Sequence, residues 1–170
     1  MSGEGWSSVT IHRAQPDDIP EAKQLLSETW IDTYGSYLSE RAIQRVTSVW
    51  HDPKRLAAEA QHPQIYFAIA KEASGQIIGL TTVRQLDDEV IFMSRLYVHP
   101  TYQRKGIGAQ LLHAAIEAFP GAKRLRLEVE AQNRKGRAFY RKHAFHEIGT
   151  RSISIEDDVL DGLVMERALP

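Results

Sequence analysis

The chain has 170 residues, 42% of them hydrophobic, enough for one domain that buries roughly 70% of the surface its unfolded form exposes. Its formal net charge is −1, so no global positive field exists to hold DNA or RNA and no nucleic-acid partner is expected. The absence of cysteine removes disulfides, thiolate metal ligands and cysteine nucleophiles together, and fits a reducing compartment.

The short lead MSGEGWS is read as disordered, and the N-terminus MSGEGWSSV lacks the basic and apolar segments of a signal peptide. The apolar runs are too short to span a bilayer, so a cytoplasmic protein with no membrane partner is expected, as one domain over residues 1–170. SVTIHRA then alternates apolar and polar residues as a half-buried strand does, and QPDDIPEAKQLLSETWIDTY is a helix with Asp17 or Asp18 as N-cap. Ser39 caps a second helix through ERAIQRVTSVW, and Asp52-Pro53 opens a third, PKRLAAEAQ, closed by His62 and Pro63. The pattern next shifts to period two: QIYFAIAKE, QIIGLTTVRQL and EVIFMSRLYV, joined by turns at 73–75 and 87–88, form an antiparallel meander. A basic loop, a helix from about Gly106 to Phe119, the strand RLRLEVE, a helix from Asn133 to His143, and the strands FHEIGTRSISI and LDGLVMERAL complete the chain. This order predicts helices packed on a mixed sheet, an α+β or α/β sandwich.

In YQRKGIGAQLL the glycines at 106 and 108 stand where a helix begins, beside unpaired backbone amides and the positive end of the helix dipole. Glycine lets the backbone approach a ligand, and Gln103, Arg104 and Lys105 add donors and charge at the rim, which together suit a pyrophosphate. A tight loop with solvated basic residues reads equally well from this stretch alone. No Walker A run is present, and a dinucleotide fingerprint fails at Leu111, where its third glycine would stand.

The second half discriminates. Gln103-Arg104-Lys105-Gly106-Ile107-Gly108 between a strand and a helix, followed by Asn133 and Tyr140 on the next helix, resembles the GNAT superfamily of acyl-CoA-dependent N-acyltransferases. The resemblance is strongest from Val90 to Phe145; Ala144 replaces the glycine usual before Phe145, and Gly136 stands where the family commonly has alanine. It implies a mostly antiparallel sheet of about seven strands, splayed between the fourth and fifth, with acetyl-CoA as co-substrate. The backbone of Leu96, Tyr97 and Val98 would pair with the pantetheine arm. Amides from Gln103, Arg104, Lys105, Gly106, Ile107, Gly108 and Ala109 would hold the pyrophosphate. Asn133 would contact the pantetheine region, and Lys142 the adenosine phosphates unless it is one solvated charge among its basic neighbours.

Direct transfer needs a neutral amine, a polarised thioester carbonyl and a proton for the departing thiolate. The resemblance places Tyr140 as that acid. Glu128 occupies the slot that serves as base, through water, in ribosomal-protein Nα-acetyltransferases; a structural salt bridge is the alternative, and Glu130 and Asp88 are further candidates. The acceptor side falls to TWIDTYGSYLSE, where Trp30, Tyr34 and Tyr37 offer an amine-lining wall and Asp32 a charge for a cationic substrate. TW-x-x-TY is similar to acetyltransferases acting on polyamines or other small amines. The leading expectation is thus a small-amine N-acetyltransferase, with a protein N-terminal or lysine acetyltransferase and a non-catalytic acyl-CoA sensor as alternatives. The seven histidines show no metal-binding spacing, and no metal is expected; the apolar last strands suggest a possible homodimer.

Overall fold

The computed structural model describes residues 9–170; the lead read as disordered, and Ser8 of the first predicted strand, lie outside the described residues. The elements follow the predicted order: β1 (Thr10–Arg13), α1 (Ile19–Tyr34), α2 (Glu40–Val49), α3 (Pro53–Gln61), β2 (Ile65–Lys71), β3 (Ile77–Gln85), β4 (Val90–Val98), α4 (Ile107–Glu117), β5 (Arg124–Glu130), α5 (Arg134–Lys142), β6 (His146–Ile155) and β7 (Asp158–Ala168). Ser39 and Asp52 cap α2 and α3, accepting from the amides of Ala42 at 3.1 Å and Arg55 at 3.3 Å. Asp18 stands at the N-cap position of α1, as expected, but its side chain does not cap the helix. A 3-10 turn over Pro16–Asp18 precedes it, and the Asp18 carboxylate turns back to the Gln15 amide at 2.8 Å and to Lys71 at 2.9 Å instead of capping α1.

The strands form one sheet in the order β1-β2-β3-β4-β5-β7-β6, antiparallel everywhere except between β4 and β5. The parallel pair needs a crossover, and α4 supplies it. On one face α4 and α5 pack on the sheet, with Leu112, Ala115 and Phe139 against Ile91, Met93, Leu125 and Leu127. On the other, Leu25 and Leu26 of α1 and Leu56 of α3 cover Phe67, Ile69 and Leu80. Two apolar faces explain why the central strands β2 and β3 are almost wholly buried.

Two irregularities in β4 position everything that follows. First, β4 and β5 pair only from Val90↔Arg124 to Met93↔Leu127, although the strands run on to Val98 and Glu130, so they splay as expected. Second, the register with β3 jumps from Thr82↔Arg95 to Val83↔Met93, leaving Ser94 as an inserted residue. This bulge resets the alternation of side chains. Ile91 and Met93 face α4; beyond Ser94 it is Leu96 and Val98 that do so, while Tyr97 joins the clusters of α1 and α2.

Candidate active site

Beyond Val98 the chain makes a 3-10 turn and reaches α4 through a loop in which Arg104 and Gly106 both have positive φ, 62° and 80°. No side chain caps α4, and the amides of Gly106, Ile107, Gly108 and Ala109 have no acceptor among the described residues. Such an array of free amides at a helix start is an anion cradle. A Cβ on Gly106 would meet nothing within 4 Å, so its requirement for glycine is conformational and its outer side is open. Gly108 differs from the reading above: its Cβ would lie 3.3 Å from the Phe139 ring, so this glycine seats α5 against α4. Gln103 ties the loop to the strand through its side-chain amide, which donates to the Val98 carbonyl at 3.0 Å. Arg104 and Lys105 are exposed at the rim, Lys105 over the Tyr102 ring at 5.6 Å.

The cradle adjoins the gap between β4 and β5. His99 donates its amide to Ile78 of β3 at 2.8 Å, and alternation along an antiparallel ladder leaves the amides of Leu96 and Val98 on the side that β5 vacates. Asn133 accepts the Gly136 amide at 3.0 Å, so its carbonyl oxygen caps α5. A Cβ on Gly136 would come within 2.7 Å of the Asn133 amide nitrogen, which explains the glycine in mid-helix. Lys142 is exposed at the end of α5 and makes no ion pair among the described residues.

Tyr140 is anchored by the end of its own helix. The Phe145 amide donates to the Tyr140 carbonyl at 3.0 Å, the Ala144 amide to Arg141 at 3.2 Å, and the Phe145 ring stands 5.5 Å from that of Tyr140. This is a Schellman ending, with Ala144 in the left-handed position at φ 69°. Burial, and then the neighbouring Tyr97, push the Tyr140 phenol above its ordinary range, so it stays protonated. From the opposite face of the sheet Trp30 donates to the Tyr97 hydroxyl at 3.1 Å and packs its ring, tilted by 41°, against that of Tyr34 at 4.2 Å between centroids. Burial first, and then the charges of Tyr97, Tyr37, Tyr140 and Glu130, push the Tyr34 phenol above its ordinary range.

The two β5 carboxylates divide. Glu128 is half-buried and pairs with Arg151 of β6 at 2.9 Å, the salt-bridge alternative of its two readings. Glu130 is 7% exposed, accepts the Gln132 amide at 2.5 Å and pairs with no cation among the described residues. It faces Tyr37, whose hydroxyl is buried without a well-formed hydrogen bond and is pushed up by burial and by this carboxylate. Asp32 is not part of the cluster. It lies about 200° around α1 from Trp30, by helix geometry, and is exposed to solvent. The α1–α2 loop is held in place from the far hairpin, where Asp158 accepts from the Ser39 amide at 2.9 Å and hydroxyl at 2.7 Å.

Behind Tyr97, on the face of α1 and α3, a cavity of about 530 Å³ reaches from Trp30 to Arg84. Its wall includes Trp50 and His51, between α2 and α3, and Arg95, none of which the sequence reading marked. Arg95 in the apolar stretch IFMSRLYV was the available signal, since an arginine is rarely buried without a purpose.

The family model described as Acetyltransferase (GNAT) family matches residues 20–145. A Mycobacterium tuberculosis protein named "probable N-acetyltransferase" is 30% identical over 82% of this chain and 81% of its own. A spermidine N(1)-acetyltransferase of Thermoplasma acidophilum is 27% identical over 94% of this chain and 97% of its own. Among solved structures, the PaiA N-acetyltransferase from Thermoplasma acidophilum in complex with coenzyme A has a TM-score of 0.85 at 26% identity, covering 95% of this chain and 99% of its own. The Escherichia coli ribosomal-protein-S18-alanine N-acetyltransferase shares the fold, with a TM-score of 0.72 at 21% identity over 95% and 94% of the two chains.

Proposed function

Since the chain belongs to the acetyltransferase (GNAT) family, as an acyl-CoA-dependent N-acetyltransferase, we propose that it moves the acetyl group of acetyl-CoA directly to the primary amine of a small molecule. The observation that carries this reading is the uncapped start of α4 beside the gap where β4 and β5 part, with Tyr97 on one of the parted strands and Glu130 on the other. The amides of Gly106 to Ala109, with Gln103, Arg104 and Lys105 beside them, suit a pyrophosphate; the free edge of Leu96 to Val98 suits the amides of a pantetheine arm. Asn133 offers its side-chain NH₂ to that arm, and Lys142 is available to the adenosine phosphates. The relative solved in complex with coenzyme A supports coenzyme A binding by this fold. Acetyl-CoA supplies an activated acetyl thioester.

Transfer forms a bond between the amine nitrogen and the acetyl carbon and breaks the bond from that carbon to sulfur. Tyr140, held neutral, donates its phenolic proton to the departing sulfur. The nitrogen loses a proton in turn, and Glu130 is the acceptor we assign. It is buried at the gap and has no cation to satisfy, whereas Glu128 is occupied by Arg151. Exchange with solvent restores both groups. Trp30, Tyr34 and Tyr37 line the amine's approach. Polyamines enter as candidate acceptors on the name of the Thermoplasma relative and on TW-x-x-TY.

A thiol-release assay with acetyl-CoA over spermidine, amino acids and N-terminal peptides tests the reading, with the acetylated amine identified by mass spectrometry. Calorimetric binding of CoA with no turnover on any amine would overturn it in favour of an acyl-CoA sensor. A homodimer is proposed through the free edge β6, near which Ile148 and Val159 are exposed; a monomeric mass by light scattering would refute it.

A further inference from the structure

Resting on the amine-acetylation reading, we propose that the acceptor also carries an acidic group, a carboxylate in the first instance, and that the cavity behind Tyr97 is its binding site.

The charges lining this cavity do not cancel. Arg55, Arg84 and Arg95 contribute guanidinium groups, and Glu59 is the one carboxylate among the lining residues. Glu59 is already shared: Arg55 meets it at 3.1 Å, and Arg95 pairs with its other oxygen. Arg95, only 7% exposed, also donates to the Trp50 carbonyl at 3.0 Å and the Thr82 hydroxyl at 3.3 Å. Arg84 has no carboxylate partner among the described residues and only the Phe92 ring beside it, at 5.2 Å. One polar atom in the wall is left over. His51 is 3% exposed, and its Nδ1 has no hydrogen-bond partner among the described residues. Burial and then Arg95, Lys23 and Arg55 push its pKa down to about 3, so the ring is neutral in a positive field. A positively biased cavity, open to solvent on the side of the exposed Arg55 and Arg84, with an unsatisfied ring nitrogen in its wall suits an anion that can take a guanidinium's paired donors.

The opposite bias holds at the other end. Glu130, at the end of β5 where it has left β4, pairs with no cation among the described residues, and Trp30 and Tyr97 form part of the wall of the arginine-lined cavity. The site is therefore bipolar: an amine belongs near Glu130 and Tyr140, and an acid near Arg84. A polyamine would instead bring a second cation towards three arginines, which opposes it by like-charge repulsion.

The test uses α- and ω-amino acids of two to six carbons, each against its carboxamide, with aminophosphonates of matching length and spermidine as further arms. Both acetylation and binding are read, the latter by calorimetry in the presence of CoA so that it does not depend on turnover. The expected result is kcat/KM and affinity at least about tenfold higher for the acid than for its carboxamide, with Arg84→Gln removing most of that ratio. A stronger preference for the phosphonate keeps the site and changes the acid to a phosphate-like group. Equal treatment of acid and amide in both measurements, or a preference for spermidine, overturns the proposal while leaving acetyl transfer to amines standing. Absence of turnover on every arm overturns the acetylation reading itself.

Discussion

Replacing Ala144 by glycine should stabilise the protein, although the change removes a methyl group and adds nothing. Ala144 closes α5 at φ 69°, where an L-residue's Cβ crowds its own backbone at a cost of about 1–2 kcal/mol. The residue is exposed, so its methyl contributes little packing. Glycine relieves the crowding but gives back roughly 0.5–1 kcal/mol through the greater freedom of the unfolded chain. The net gain is about 1 kcal/mol or slightly less, which in a domain of this size raises Tm by about 2–4 °C. Ala138 is the control: it is exposed in the middle of α5, where φ is helical, and Ala138→Gly should cost about 1 kcal/mol. Paired thermal and urea melts of the two variants decide the matter. If both shift in the same direction, the left-handed ending that anchors Tyr140 is not under strain and the reasoning fails.

Tyr140→Phe keeps the ring against Phe145 and removes the proton, so kcat should fall about 10²-fold or more with acetyl-CoA affinity nearly intact; joint loss of both would point to packing instead. Glu130→Gln should cost about 10²-fold more in kcat/KM than Glu128→Gln, and a larger loss in the latter would return the base role to Glu128. Gly106→Ala demands φ 80° of an alanine and should weaken CoA binding about tenfold or more by calorimetry, with native circular dichroism; unchanged affinity would remove the cradle. His51 has a folded pKa of about 3 against an ordinary 6.5, so below pH 6.5 the unfolded chain takes up a proton that the folded one refuses. Its contribution is complete above pH 6.5 and is lost on acidification, by about 2 kcal/mol at pH 5. His51→Phe should accordingly lose less Tm between pH 7 and 5 than the wild type, and parallel losses would contradict the assignment.

What local sequence controls was legible. Caps at Ser39, Asp52 and Asn133, the turn glycine at 75 and the periodicities of helix and strand each depend on residues within a few positions of one another, and the structure places the elements in the expected order. The same holds for the cradle, since Gly106 and the start of α4 are contiguous. Local pattern was less sufficient where a side chain chooses between partners. Glu128 and Glu130 share one face of β5 and look equivalent in LEVE, but only the approach of β6 brings Arg151 to the first and only the α1–α2 loop brings Tyr37 to the second.

The candidate residues of the cradle and Tyr140 also came from the sequence alone, because motif spacing along one helix start or one helix is preserved on folding. Tertiary structure decided which way β4 points. With a strict period of two, Arg95 and Tyr97 would lie with Met93 beneath α4. The extra residue at Ser94 turns them to the α1 face, where Tyr97 meets Trp30 and Arg95 meets Glu59. A bulge is defined by two residues opposing one on the partner strand, so it exists only once β3 and β4 have paired, and no reading of β4 by itself contains it.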